Sequence, residues 1–308
     1  MISIFQIIFS ILYFIVFKIY RLIHLLHCKY IFLNEFISSI IHPFKNLKTI
    51  EKDTLCLNKK PNHIAFVLEI PKNKKNLKKI INHLGIILVW CVGFGIKYIT
   101  VYDSEGILKQ IPQKIVDSFS TYFLKNSNQN LKISGYGAFK IPEKIIQNLQ
   151  KNSKKKSSQK KSLDSSLKSV IFDVLESPEM QDEKNNEMRN SSTNFEKFDF
   201  VVSILSEENG KKELIKLTKI FGEKIKKKMM SSEDITVDLI EENLWSSLGK
   251  PDPDLVLKFG SVENLDGFLP WQIRLSEIMF LGNLETLKYI RFFRSLKRFA
   301  KTQQRLGK

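Results

Sequence analysis

The chain predicts an α/β fold: a central parallel sheet flanked by helices, preceded by an N-terminal transmembrane helix. Three observations carry this. Short unbroken apolar runs rich in β-branched residues, such as His63-Ile64-Ala65-Phe66-Val67-Leu68 and Tyr98-Ile99-Thr100-Val101-Tyr102, read as strands buried on both faces. Stretches of helical periodicity separate them, with no hairpin signal between, so strands alternate with helices and lie parallel. Residues 1–17 contain no charged side chain. The 308 residues, 43% hydrophobic and 11% aromatic, suffice for one large α/β domain or two small ones.

At about 1.5 Å per residue, residues 1–17 span roughly 25 Å, slightly short of a bilayer core of about 30 Å. Apolar character resumes after Lys18 and Arg21, whose stems can snorkel, so the span extends to about Leu26. A cleaved signal peptide is the rival reading; it wants basic residues before the run and a small-residue cleavage site, and neither is present. Lys18, Arg21 and Lys29 follow the run, which places the rest of the chain in the cytosol. The boundaries are therefore 1–33 for the anchor and 34–308 for the domain, with 34–60 a mixed connector.

Along the domain, strands are expected at 63–68, 97–103, 131–134, 198–205 and 254–257. Helices are expected at 77–92, 107–124, 142–149, 212–227, 234–244 and 288–303. Another should begin at Pro270 and carry Trp271, Ile273, Leu275, Ile278 and Met279. Pro71 breaks the chain after the first strand, Gly93 and Gly95 end the first helix, and Asp103 caps the segment after the second strand. Residues 151–195 are rich in Lys, Ser, Asn, Asp and Glu, interrupted only by Val170-Ile171-Phe172, and read as a disordered insertion.

The formal charge of +17 points to an anionic partner. Lysines cluster at 72–79, 151–161 and 224–228 without interleaved aromatics, the pattern of solvated faces and an insert. No nucleic acid is expected. Cys28, Cys56 and Cys91 fit neither a disulfide framework nor a zinc site, which implies a reducing compartment. His24, His27 and His42 have no ligand partners, and no metal ligand is assigned to this chain.

The segment 251–277 has the form of a strand, a Gly-containing loop and a helix start, a common seat for an anion. Here the chain resembles the cis-prenyltransferases, which elongate isoprenoid diphosphates, and most closely their accessory-subunit branch (Nogo-B receptor type). The residues that carry this are Val89-Trp90-Cys91, Gly95-Ile96-Lys97-Tyr98-Ile99-Thr100-Val101-Tyr102-Asp103 and Pro251-Asp252-Pro253-Asp254-Leu255-Val256-Leu257-Lys258-Phe259-Gly260. Gly267-Phe268-Leu269-Pro270-Trp271 and the terminal Arg305-Leu306-Gly307-Lys308 complete the set. The resemblance covers 62–308 apart from the insertion.

In catalytic members of that family a His, a strand and an Asp-Gly-Asn-x-Arg loop cradle the allylic diphosphate. Here His63 opens the strand, but the loop reads Glu69-Ile70-Pro71-Lys72-Asn73. A glycine turn lets backbone N–H groups approach phosphate; Ile-Pro substitutes a side chain and a residue with no N–H. Catalytic members also place two arginines around the loop after the last strand to hold isopentenyl diphosphate. Those positions fall at Lys258 and Asn264, so one bidentate fork becomes a point charge and the other is lost. Glu277 falls where catalytic members keep a glutamate that helps arrange magnesium across the interface; that role and a plain helix-surface position are both open.

The terminal Arg-x-Gly is retained, and in the family it reaches across the dimer interface. Arg305 offers charge-assisted donors to a diphosphate, and Gly307 exposes its N–H without a Cβ in the way. A frayed basic tail is the blander reading. The resemblance thus implies a subunit that does not catalyse alone but lends Arg305, Leu306 and Gly307 to a shared active site. Its partner, a catalytic cis-prenyltransferase subunit, holds most of the magnesium. Together they add isopentenyl diphosphate to farnesyl diphosphate, giving the dolichol precursor at the endoplasmic reticulum membrane; the lipid bilayer is the remaining partner. The alternative is a membrane-anchored receptor or scaffold of the same fold.

Overall fold

The computed structural model describes residues 9, 12–23, 26, 29, 47–71, 74–126, 131–137, 168–174, 199–244 and 250–303. The chain divides into two units, Met1–Lys45 with Lys288–Arg294, and Asn46–Leu287 with Ser295–Lys308. In the first, residues 12–23 form a helix (α1) with every side chain exposed; Tyr13 stacks on Phe17 and the Lys18 ammonium lies over the Phe14 ring. Among the described residues no helix is long and apolar enough to cross a membrane. Most of the remaining expected anchor lies outside the described residues.

The second unit is built on a seven-stranded sheet in the order β3-β4-β5-β2-β1-β6-β7, every neighbouring pair parallel. The strands are β1 (His63–Leu68), β2 (Tyr98–Asp103), β3 (Leu131–Gly137), β4 (Lys168–Val174), β5 (Phe200–Leu205), β6 (Leu255–Phe259) and β7 (Glu277–Phe280). The unit's helices are α2 (Leu47–Thr54), α3 (Lys74–Gly93), α4 (Ile107–Gln110), α5 (Pro112–Asn126), α6 (Lys211–Lys226) and α7 (Val237–Asn243); α8 (Tyr289–Lys301) belongs to the first unit up to Arg294 and to the second from Ser295. Strands β1, β2, β5 and β6 are buried at every position, which is why they carry unbroken apolar runs rather than alternation. On the face under α5, Phe66 packs on Phe259 and Phe119 on Phe123 and Phe172, all five buried. Helices α3 and α5 meet where a Cβ on Gly85 would stand 2.2 Å from the Ser118 Oγ.

Three expectations need correction. The helix expected over 107–124 is broken in two. Pro112 disfavours the helical region for Ile111, which sits at φ −130°, and then starts α5 at the position where a missing N–H does no harm. Asp103 does cap the first piece, accepting the N–H of Ile107 at 2.6 Å and of Leu108 at 3.3 Å.

The helix expected from Pro270 is a single 3-10 turn, Gln272–Leu275, followed by β7. Glu277 N–H donates to the Asp254 carbonyl and Leu281 N–H to the Lys258 carbonyl, so the segment extends the sheet beside β6. Exposed Ile278, buried Met279 and exposed Phe280 alternate in burial as a strand does, a period that three consecutive apolar residues do not write into the sequence. Finally, Val170-Ile171-Phe172 is the middle of β4, an inner strand between β3 and β5, inside the interval read as an insertion. The rest of that interval and the helix expected at 142–149 lie outside the described residues.

Candidate functional site

A band of buried polar groups crosses the other face of the sheet. Register aligns Thr100 on β2 with Ser203 on β5, and Ser203 with Asp173 on β4. Lys250, just ahead of β6, reaches in and donates to Asp173 Oδ2 at 3.1 Å and Ser203 Oγ at 3.0 Å. At the start of β1, His63 Nδ1 lies 2.6 Å from the Pro251 carbonyl and Nε2 lies 2.8 Å from Thr100 Oγ1. A carbonyl can only accept, so Nδ1 carries the proton and Nε2 accepts from Thr100.

Burial, with the nearby Lys250 charge adding to it, pushes the His63 imidazole down to about 4; the Pro251 carbonyl opposes this. Its folded value lies below its unfolded one, so its contribution to stability is complete above about pH 6.5. That contribution, about 3 kcal/mol, is lost as pH falls toward 4. Asp103 runs the other way: burial pushes its carboxyl up to about 6 against the two capping N–H groups, so its share of stability grows as pH falls through the same window. Two outcomes are expected. The His63 imidazole titrates by NMR near pH 4 rather than 6.5, and Asp103→Asn loses stability between pH 6.5 and 4 more steeply than the native chain.

At the carboxyl end of the strands, the loops after β1 and β6 close on each other. Glu69 N–H donates to the Phe259 carbonyl at 3.1 Å. Its carboxylate accepts the Ser261 N–H at 2.6 Å and the Ser261 hydroxyl at 2.9 and 3.0 Å to the two oxygens. Those hydrogen bonds, first the backbone one, hold the Glu69 carboxyl below its ordinary range. Gly260 lets the loops come this close: at φ +148°, a Cβ there would stand 2.4 Å from Glu69 Oε2.

Near the end of β6 the Lys258 ammonium is buried and pairs with Asp266, further along the loop, at 2.5 Å. The Tyr102 hydroxyl donates to the Asp266 carbonyl at 2.6 Å; burial, then the Glu207, Asp266 and Asp103 carboxylates, raise its phenol so that it stays a donor. Lys211 N–H, in the first turn of α6, donates to the Gly267 carbonyl at 2.8 Å. Only glycine fits at 210, where a Cβ would stand 2.3 Å from that oxygen. Beside these loops lies a cleft of about 430 Å³ lined by Glu69, Pro71, Asn76, Gly260, Ser261 and Glu285 among others. One backbone donor of its lining, Ser261 N–H, is already taken by Glu69. Among the described residues no group of three His, Cys, Asp or Glu could hold a metal, and both Glu69 oxygens already accept from Ser261.

Residues 71–307 match the family model described as putative undecaprenyl diphosphate synthase. The chain belongs to this family. It is 30% identical over 258 residues to the human dehydrodolichyl diphosphate synthase complex subunit NUS1, covering 83% of this chain and 70% of that protein. To the Schizosaccharomyces pombe subunit of the same complex it is 28% identical over 261 residues, covering 84% and 81%. Lavandulyl diphosphate synthase from Lavandula x intermedia aligns in three dimensions with a TM-score of 0.44 at 14% identity, over 80% of this chain and 97% of that one.

Within this prenyltransferase family member, the sequence-predicted positions are distributed unevenly. Glu69 and Lys258 both lie at the crest, the carboxyl end of the strands, each turned onto a neighbour of its own chain; Asn264 is exposed on the loop after β6. Glu277 is half-buried at the start of an edge strand, not on a helix. Arg305, Leu306 and Gly307 lie outside the described residues. The sequence reading missed Ser261, Asp266 and Lys250. Asp266-Gly267 is a turn signature that marked the bend, but no spacing rule announces that its carboxylate would cover a lysine eight residues earlier.

Proposed function

We propose that this chain is a subunit of a dehydrodolichyl diphosphate synthase complex that does not itself condense isoprenoid diphosphates. The observation that supports this most is the closed crest: the groups that could have held phosphate, Ser261 N–H, Lys258 and Lys211 N–H, are each spent on a carboxylate or carbonyl of the same chain. A diphosphate would have to displace charge-assisted hydrogen bonds to enter. The two relatives named as complex subunits agree with it.

A catalytic cis-prenyltransferase partner supplies the diphosphate cradle and the magnesium ligands, and its tunnel sets product length. This chain supplies the pairing surface and its last residues, with Arg305 and Gly307 directed to the diphosphate in the partner's pocket. The partner's ligands would hold the magnesium, which when bound would supply charge neutralisation for the leaving diphosphate. The apolar residues 1–33 hold the complex at the endoplasmic reticulum membrane, where a lengthening polyprenyl tail can pass into lipid.

The test is an assay with farnesyl and isopentenyl diphosphates and magnesium. The purified chain alone should give no polyprenyl product, and co-purification with a catalytic subunit should raise that subunit's turnover. Product from the chain alone would refute the proposal, and so would a catalytic subunit whose rate ignores its presence.

A further inference from the structure

Helix α6 carries a charge pattern that neither its own stability nor prenyl transfer requires. Its packed side holds Glu213, Leu217 and Phe221. The opposite side exposes Lys211, Lys212, Lys216, Lys219 and Lys226, with Ile215 exposed among them. Lys212 pairs with Glu207 at 2.8 Å, and the carboxylate on the row itself is Glu223. Lysines three and four apart repel, and Lys211 and Lys212 stand at the end of the helix where its dipole disfavours cations. Folding alone therefore argues against the row.

The C-terminal end of α6 repeats the theme. Met229 N–H donates to the Lys224 carbonyl and Lys228 N–H to the Ile225 carbonyl, which is the Schellman ending. Lys228 takes the left-handed position, φ 57°, that glycine occupies without strain. The apolar residue after it commonly folds back on the last turn. Here Met229 is 73% exposed, beside four lysines at 224 and 226–228.

We infer that this side of α6 rests on an anionic membrane surface, the lysines against lipid phosphates and Met229 with Ile215 entering the interfacial layer. The cations alone would suit any polyanion. An apolar side chain left protruding among them suits a bilayer, where basic residues meet headgroups and apolar ones the acyl boundary, and gives nothing to a nucleic acid. This contact is separate from the N-terminal segment and from catalysis, and its test reads neither.

The full chain, with Cys28→Ser and Cys56→Ser, carries an environment-sensitive NBD fluorophore on Met229→Cys; buried Cys91 is left in place. With vesicles of phosphatidylcholine plus phosphatidylserine, the emission should shift to the blue and be quenched by nitroxide lipid. With phosphatidylcholine alone it should stay in water, as should the same fluorophore on Val262→Cys in either vesicle. Combining Lys216→Glu, Lys219→Glu and Lys226→Glu should weaken the response at least about tenfold. If that variant fails to fold, the three Gln substitutions should still give a measurable loss. A silent probe on anionic vesicles overturns the inference. So does an equal shift on neutral ones, a shift that survives the substitutions, or a response to RNA in the absence of lipid.

Discussion

Arg305→Ala, placed in the assembled complex, is expected to lower kcat by about a hundredfold or more while the two subunits still co-purify. In the proposed role the Arg305 guanidinium would donate through a planar fork to a diphosphate whose charge grows as the allylic bond breaks. Its contribution therefore strengthens in the transition state and should appear in kcat more than in KM. Arg305→Lys retains the charge but not the fork and should recover only part of the rate. Gly307→Ala tests the backbone half of the idea: a Cβ at that position blocks close approach of the N–H, and roughly a tenfold loss is expected. The effect should be confined to the tail. Lys258→Met or Glu69→Gln touches groups already paired within the chain, and neither should lower kcat by a comparable factor in a complex that still assembles. An Arg305→Ala complex with undiminished kcat would mean that this chain contributes no donor to the shared pocket.

How far the chain could be read in advance depended on where each residue's partners lie in sequence. The inner strands were plain because burial on both faces writes itself into composition: His63–Leu68 matches the expected strand to the residue. Helix α3 was legible from the spacing of Leu77, Ile80, Ile81, Leu84 and Leu88. Strand β7 was not, because four residues cannot display a period, and Leu275, Ile278 and Met279 also satisfy helical spacing. Val170-Ile171-Phe172 was dismissed because its polar surroundings outweighed it in any window average, yet an inner parallel strand needs only a few residues when neighbours supply the ladder. The site divides in the same way. Loss of the phosphate loops showed as Ile70-Pro71 and as Lys258 and Asn264. The closure that replaced them, Glu69 on Ser261 across 192 residues and Asp266 over Lys258, is a tertiary fact that no local pattern contains.

Asp173→Asn should be the most damaging single change in the second unit, costing about 3–5 kcal/mol in urea unfolding, a large share of the ~5–15 kcal/mol that holds a typical domain together. Asp173 and Lys250 are both almost wholly buried, with side chains 2% and 4% exposed, and they join distant parts of the chain. In the sheet order β4 and β5 lie on one side of β2 and β1, whereas β6 lies on the other. Lys250 immediately precedes β6, so its reach to Asp173 and Ser203 ties the β6–β7 end of the sheet to the β4–β5 side beneath the central strands. Neutralising Asp173 takes away the carboxylate that the buried Lys250 ammonium faces at 3.1 Å, and the desolvated charge left behind, rather than the lost attraction, dominates the penalty. The distinction is measurable. Lys250→Met in the Asp173→Leu background removes both charges and should restore most of the lost stability, whereas independent contributions would make the double variant worse than either single one. The added Leu volume at position 173 must still pack, so recovery short of the native value is consistent. A double variant that unfolds at the sum of the two single losses would show that the pair is not held as two buried charges.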